Sequence, residues 1–162
     1  MELPKTSKYK EAIYTCNRTR CGFCLQRCPV YEVLQMETYA SRGRILVARG
    51  ILEGTIELDE ELGKLANTCL LCGYCEKNCA LENTEIFRAF KADLVEAGFA
   101  DQYLKRGIES IDNFGNPYQK PSVVRNIPEI TSNPESKILL YGGCTYSVMH
   151  PEILVMMADL LG

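Results

Sequence analysis

Two stretches, "CNRTRCGFCLQRCP" at residues 16–29 and "CLLCGYCEKNCA" at residues 69–80, carry eight of the nine cysteines of the chain. No other feature constrains the fold so tightly, because eight thiols in two short segments need a common purpose. The 162 residues, 46% of them hydrophobic, suffice for one ordinary core and at most a small second unit. A net charge of -3, with Lys and Arg scattered singly, offers no basic stripe for a phosphate backbone and argues against a nucleic-acid partner. No apolar run approaches the roughly 20 residues needed to cross a bilayer, and "MELPKTSKYKEA" has no hydrophobic segment that could serve as a secretion signal. The expected compartment is the cytoplasm, at most peripheral to a membrane complex. Thiols stay reduced there, so this pattern points to metal rather than disulfides.

Spacing narrows the metal. Cys16, Cys21, Cys24 and Cys28 form C-x4-C-x2-C-x3-C-P, while Cys69, Cys72, Cys75 and Cys79 form C-x2-C-x2-C-x3-C. A zinc site usually takes two ligands from each of two separated turns, whereas three cysteines at successive x2 spacing curl one loop around three corners of a cube. The fourth cysteine, three residues on, points away and ligates the other cluster in two-cluster ferredoxins. On that rule Cys16, Cys21, Cys24 and Cys79 would hold one [4Fe-4S] cluster, and Cys69, Cys72, Cys75 and Cys28 the other.

The two motifs, together with "SRGRILVARGILEG" after the first and "TEIFRAFKADLVEAG" after the second, resemble the iron-sulfur subunits of the glycolate oxidase and heterodisulfide reductase families. The resemblance covers roughly residues 12 to 100 and implies an α-helical ferredoxin that carries electrons between a flavin or another redox centre and a final acceptor. Two departures stand out. The first cysteine usually lies three residues before the second, where this chain holds Arg18, and Cys16 lies two further back. Cys16 is expected to ligate through a longer loop; the competing reading is a three-ligand site that rests as [3Fe-4S]. Ala80 replaces the usual proline and would loosen the turn after Cys79, which is kept as a ligand.

Periodicity agrees with a helical module. Ser41 is placed as the cap of a helix through Ile45, Leu46, Ala48, Ile51 and Leu52 that stops at Gly54. Leu58, Leu62 and Leu65 repeat the spacing after an acidic start. A third helix is expected with Asn83 or Thr84 as cap, Ile86, Phe87, Phe90, Leu94 and Val95 on one side, and an end at Gly98. A further helix over "DQYLKRGIESIDNF" would turn Tyr103, Leu104, Ile108 and Ile111 inward.

Beyond it, four prolines (Pro117, Pro121, Pro128 and Pro134) describe a connector. "KILLYGGCTYSVMHPEILVMMADLLG" then predicts a strand, Ile138 to Tyr141, a Gly-Gly turn and a helix starting at Pro151 with Ile153, Leu154, Met157, Leu160 and Leu161 as its apolar face. This β-α unit resembles the opening of the cysteine-rich domain of the same families, with Cys144 at its first cysteine. Such a unit cannot bury its own apolar face, so it is expected to dock on the helical module, a second copy of the chain or a partner subunit. Cys144 is read as a buried or unpaired thiol.

The remaining candidates have structural readings. His150 belongs to the helix N-terminal turn. Arg42 and Arg44 either steady an anionic group or lie on a solvated face. Met149, Met156 and Met157 fill a core. "EGTIELDEEL" lacks the alternation of oxygen donors that a calcium loop needs.

The expected chain is therefore mainly α: an α-helical ferredoxin with two [4Fe-4S] clusters over residues 1–115, a connector at 116–136 and a short C-terminal β-α fragment at 137–162. Its expected role is an electron-transfer subunit without a substrate site, relaying single electrons between a flavoprotein that oxidises a hydroxy acid or glycerol phosphate and an acceptor such as a heterodisulfide reductase-type subunit. A zinc-stabilised binding module and an iron-sulfur redox sensor are the alternatives.

Overall fold

Where the apolar spacing is three and four, the chain is helical. The computed structural model describes residues 3–121 and 135–161, and among these no strand occurs. The helices are α1 (Lys10–Thr19), α2 (Pro29–Leu34), α3 (Ser41–Leu52), α4 (Glu60–Asn67), α5 (Asn83–Glu96), α6 (Gln102–Phe114), α7 (Gly143–Val148) and α8 (Pro151–Leu161), with short 3-10 turns between several of them. No described helix is long and apolar enough to cross a membrane. Contacts divide the chain into two units that part after Asp101, so α6 groups with the C-terminal segment.

The first unit has one core. Ile13 of α1, Ile45, Ala48 and Ile51 of α3, Ala66 of α4, and Ile86, Phe90 and Leu94 of α5 are buried together. Full burial of each large side chain contributes about 1.5–3 kcal/mol, which makes this cluster the main support of the helices around the cysteine loops. α4 starts as its acidic sequence suggests: Asp59 caps it, accepting from the Leu62 amide at 2.8 Å. Gly43 lets the first turn of α3 lie against the 3-10 turn Glu37–Tyr39, since a Cβ there would stand 2.0 Å from the Glu37 carbonyl oxygen.

The N-terminal segment is tied to α5 by one carboxylate. Buried Asp93 accepts hydrogen bonds from the Lys5 amide (3.1 Å), the Thr6 amide (2.8 Å) and the Thr6 hydroxyl (2.8 Å). Asp93→Ala leaves three donors without their acceptor, and the expected loss is roughly 2–4 kcal/mol of folding stability, read as a lower urea midpoint. An unchanged midpoint would refute the tether.

Two expected caps are absent. Ser41 and Asn83 are the first residues inside α3 and α5, Ala40 and Glu82 stand at the N-cap positions, and none of the four makes a side-chain cap bond. Thr84 is likewise inside α5, where its amide donates to the Glu76 carboxylate. The physical reason is burial: Ser41 and Asn83 are turned into the protein, away from the free amides of their own helices.

The second unit departs further from expectation. Residues 138–142 form no strand, and Ile138, Leu139 and Tyr141 are exposed; an extended segment becomes a strand only when a neighbour pairs with its backbone. In place of a simple Gly-Gly turn, α7 begins at Gly143. α8 begins at Pro151 as expected, and the His150 carbonyl accepts from the Ile153 amide at 3.1 Å. Of its apolar side chains only Leu154 is buried, packed close over Gly142. Met149, Met156 and Met157 are exposed rather than core filling, and so are Tyr103, Ile108 and Ile111 of α6. Most of the proline-containing connector, residues 122–134, lies outside the described residues.

Candidate metal centre

The eight motif cysteines line two cavities. Cys16, Cys21, Cys24 and Cys79 line one of about 210 Å3, together with Ser41, Arg42 and Asn83. Cys28, Cys69, Cys72 and Cys75 line the other, which is narrower at about 20 Å3 and also bounded by Ser41, Arg44 and Phe87. Each cavity thus receives three cysteines from one motif and the fourth from the other. The ninth cysteine, Cys144, belongs to the second unit and is exposed.

Local structure explains the exchange. Cys24 leads into the 3-10 turn Leu25–Arg27, and Cys28 follows in extended conformation (φ -93°, ψ 113°) before α2 opens with Pro29. Cys75 lies within the 3-10 turn Tyr74–Asn78, and Cys79 follows, also extended (φ -134°, ψ 138°). In both motifs the turn brings the middle cysteines to one cavity, and the extended residue carries the fourth away. Cys79 adopts this extended conformation with Ala80 after it.

Cys16 does not lie on the longer loop expected of it. It occupies the last turn of α1, half-buried against the core, and its carbonyl accepts from the amide of Arg20, a left-handed C-cap at φ 49°. The residues between Cys16 and Cys21 continue and then end this helix, which is how a longer spacing still reaches the first cavity.

Burial shifts three of these thiols, Cys16, Cys24 and Cys75, while Cys21 and Cys72 are exposed. Burial, followed by the nearby Cys24, Cys79 and Cys21, pushes the Cys16 thiol up to about 11. Burial likewise pushes Cys75 up to about 11 and raises Cys24, with the Ser41 hydroxyl opposing the shift at both. Ser41 therefore stands between the two cavities, beside one thiol of each. At neutral pH such thiols stay protonated until a metal displaces the proton.

Positive charge lies close by. Arg44, almost fully buried, donates from Nη2 to the Thr68 hydroxyl at 2.6 Å and from Nε to the Leu65 carbonyl at 3.5 Å. It is not on a solvated face, and among the described residues no carboxylate pairs with it. Arg42 forms a 3.3 Å ion pair with Glu37. Half-buried Lys91 donates to the Cys69 carbonyl at 2.7 Å, and burial lowers its pKa.

Sequence reasoning placed Ser41 and Asn83 as helix caps and missed them as side chains that line the cavities. Asn83 is 1% exposed, and neither atom of its amide has a hydrogen-bond partner. A buried amide left this way costs about 1–3 kcal/mol. The available signal was its register: Asn83 falls on the same stripe as Phe87, Phe90 and Leu94, where an apolar residue is expected.

Residues 12–83 match the family model described as a 4Fe-4S dicluster domain. Among curated relatives, the probable glycolate oxidase iron-sulfur subunit of Bacillus subtilis is 44% identical over 64 residues, 39% of this chain and 14% of that protein. The glycolate oxidase iron-sulfur subunit of Escherichia coli is 28% identical over 118 residues, 68% of this chain and 26% of that protein. The chain therefore spans about a quarter or less of the length of these relatives. No solved structure matches it. With both cysteine motifs inside the matched region, residues 12–83 are similar to the 4Fe-4S dicluster domain family, and the chain is similar over part of its length to glycolate oxidase iron-sulfur subunits.

Proposed function

We propose that this chain is an electron-relay subunit in which Cys16, Cys21, Cys24 and Cys79 hold one [4Fe-4S] cluster and Cys28, Cys69, Cys72 and Cys75 hold a second. The observation that carries the reading is the division of eight thiols between two cavities, four to each, by exchange of the fourth cysteine of each motif. The donor chemistry suits such a group: soft thiolates on a cluster, and an orphaned amide at the wall of the first cavity. Bound clusters of this kind supply one-electron redox chemistry.

The chain's own residues set the conditions for that transfer. Ser41 separates the two cavities by one side chain, and Arg44 and Lys91 place positive charge beside the second. The donor is read as a flavoprotein that oxidises a hydroxy acid or glycerol phosphate, by analogy with the complex named for the relatives, and the acceptor as a further redox subunit such as the heterodisulfide reductase type. Residues 1–115 are read as the helical ferredoxin and residues 137–162 as the start of a cysteine-rich domain, with the exposed apolar residues of α8 offered to a second copy or a partner subunit.

Iron, acid-labile sulfide and zinc per chain, measured on protein purified without oxygen, test the reading. The expected result is about eight irons and eight sulfides. About seven irons would leave Cys16 outside the first site, and about two zincs without sulfide would replace the relay with a zinc-stabilised module. Cys144→Ser should leave the iron content unchanged; a loss of iron would bring Cys144 into the site.

A further inference from the structure

Asn83 breaks the pattern of its helix. Its stripe on α5 is otherwise built from Phe87, Phe90 and Leu94, all buried, and an apolar side chain at position 83 would continue it. Instead the chain keeps a carboxamide there, almost wholly buried, with no partner for either the Nδ2 donor or the Oδ1 acceptor. Buried polar groups are nearly always paired, so an orphan of this kind points to a partner that is not part of the polypeptide. Asn83 lines the cavity of Cys16, Cys21, Cys24 and Cys79. The other asparagine there, Asn78, sits on the 3-10 turn that leads to Cys79.

We infer that the Asn83 side-chain amide donates an N–H···S hydrogen bond to the sulfur of the cluster held in the first cavity, and so makes that cluster easier to reduce. The inference rests on the cluster reading above. A donor to an anionic sulfur stabilises the form with more negative charge, which is the reduced one. Asn83 is a positioning and tuning residue, since the ligands are the thiolates. No equivalent orphan lines the second cavity among the described residues, so the effect is confined to one of the two clusters.

The test is a redox titration of both clusters, followed by electron paramagnetic resonance, on the full chain and on Asn83→Leu, with iron and sulfide measured on each sample. Leucine keeps the volume and removes the donor. The expected result is unchanged iron and sulfide, with the reduction equilibrium of one cluster weakened about tenfold, or about 59 mV more negative for one electron, and the other cluster unmoved. The metal-free Asn83→Leu chain should resist urea at least as well as its parent, because an apolar replacement removes an unsatisfied buried amide. A structural role alone would give the reverse: lower resistance and unmoved potentials.

In the unsubstituted chain, asparagine labelled with 15N at the side-chain amide should add a nitrogen coupling to one reduced cluster, and that coupling should survive Asn78→Ala. Full iron with both potentials unmoved in Asn83→Leu, or no nitrogen coupling in the labelled parent, overturns the assignment of Asn83 alone. An absence of iron and sulfide from the parent overturns the cluster reading and this inference together.

Discussion

Cys28→Ser should remove the cluster of the second cavity and spare the first, although Cys28 belongs to the first motif. The thiol lies with Cys69, Cys72 and Cys75, and serine is a poor ligand for iron in a soft sulfur site. The iron content should fall from about eight to about four per chain, with the surviving paramagnetic signal that of the site holding Cys16, Cys21, Cys24 and Cys79. Cys79→Ser should do the opposite, emptying the first cavity and leaving the signal of the second. The pair is decisive because a simpler arrangement, in which each motif holds its own cluster, predicts that Cys28→Ser and Cys24→Ser erase the same signal. Matching spectra from those two variants would rule out the exchange. The extended backbone of Cys28 and Cys79 makes the crossed result the expected one: each leaves its turn in a direction that a continuing helical turn would not take.

Arg44→Leu should cost both stability and metal. The guanidinium is 1% exposed, its two bonds go to Thr68 and Leu65 near the end of α4, and it borders the second cavity. A buried cation without a carboxylate partner is expensive unless some other negative charge lies beside it, and a cluster with its four thiolates carries that charge. In the metal-free chain, loss of the two charge-assisted bonds is offset by removal of the buried cation, so the change should stay within roughly 1–2 kcal/mol. In the loaded chain nothing offsets the lost counter-charge, and the expected loss is roughly 3–5 kcal/mol. Comparing urea midpoints of the metal-free and anaerobically loaded proteins reads the difference. Equal losses in both states would reduce Arg44 to a tie between α3 and α4.

Much of the first unit was legible because its signals are local. The three-and-four spacing of Ile45, Ala48 and Ile51, and of Ile86, Phe90 and Leu94, reports one buried helix face whatever lies opposite. The caps were misread for the same reason. Serine and asparagine before an apolar run usually satisfy free helix amides, but Ser41 and Asn83 are buried where they line the cysteine cavities, whose other walls come from segments far away in sequence. The strand at Ile138–Tyr141 failed differently: alternation and β-propensity describe a surface that fits a sheet, and no sheet neighbour is present among the described residues. The helix that carries Cys16 escaped because "YKEAIYTCNRT" looks polar; Ile13, completely buried, is its main anchor in the core.

By itself the sequence determined the chemistry. Cysteines at x2 and x3 spacing are held together by covalent chain length, so their nearness and their call for metal need no knowledge of the fold. It also determined the helical character of the surrounding module through periodicity. Only the tertiary structure decided that Ser41 stands between the two cavities, that Arg44 is buried beside one, and that Asn83 is left unpaired at the wall of the other. Those are relations between α3, α5 and two loops more than 40 residues apart, and they arise when the helices bury a common core, which a linear pattern does not encode.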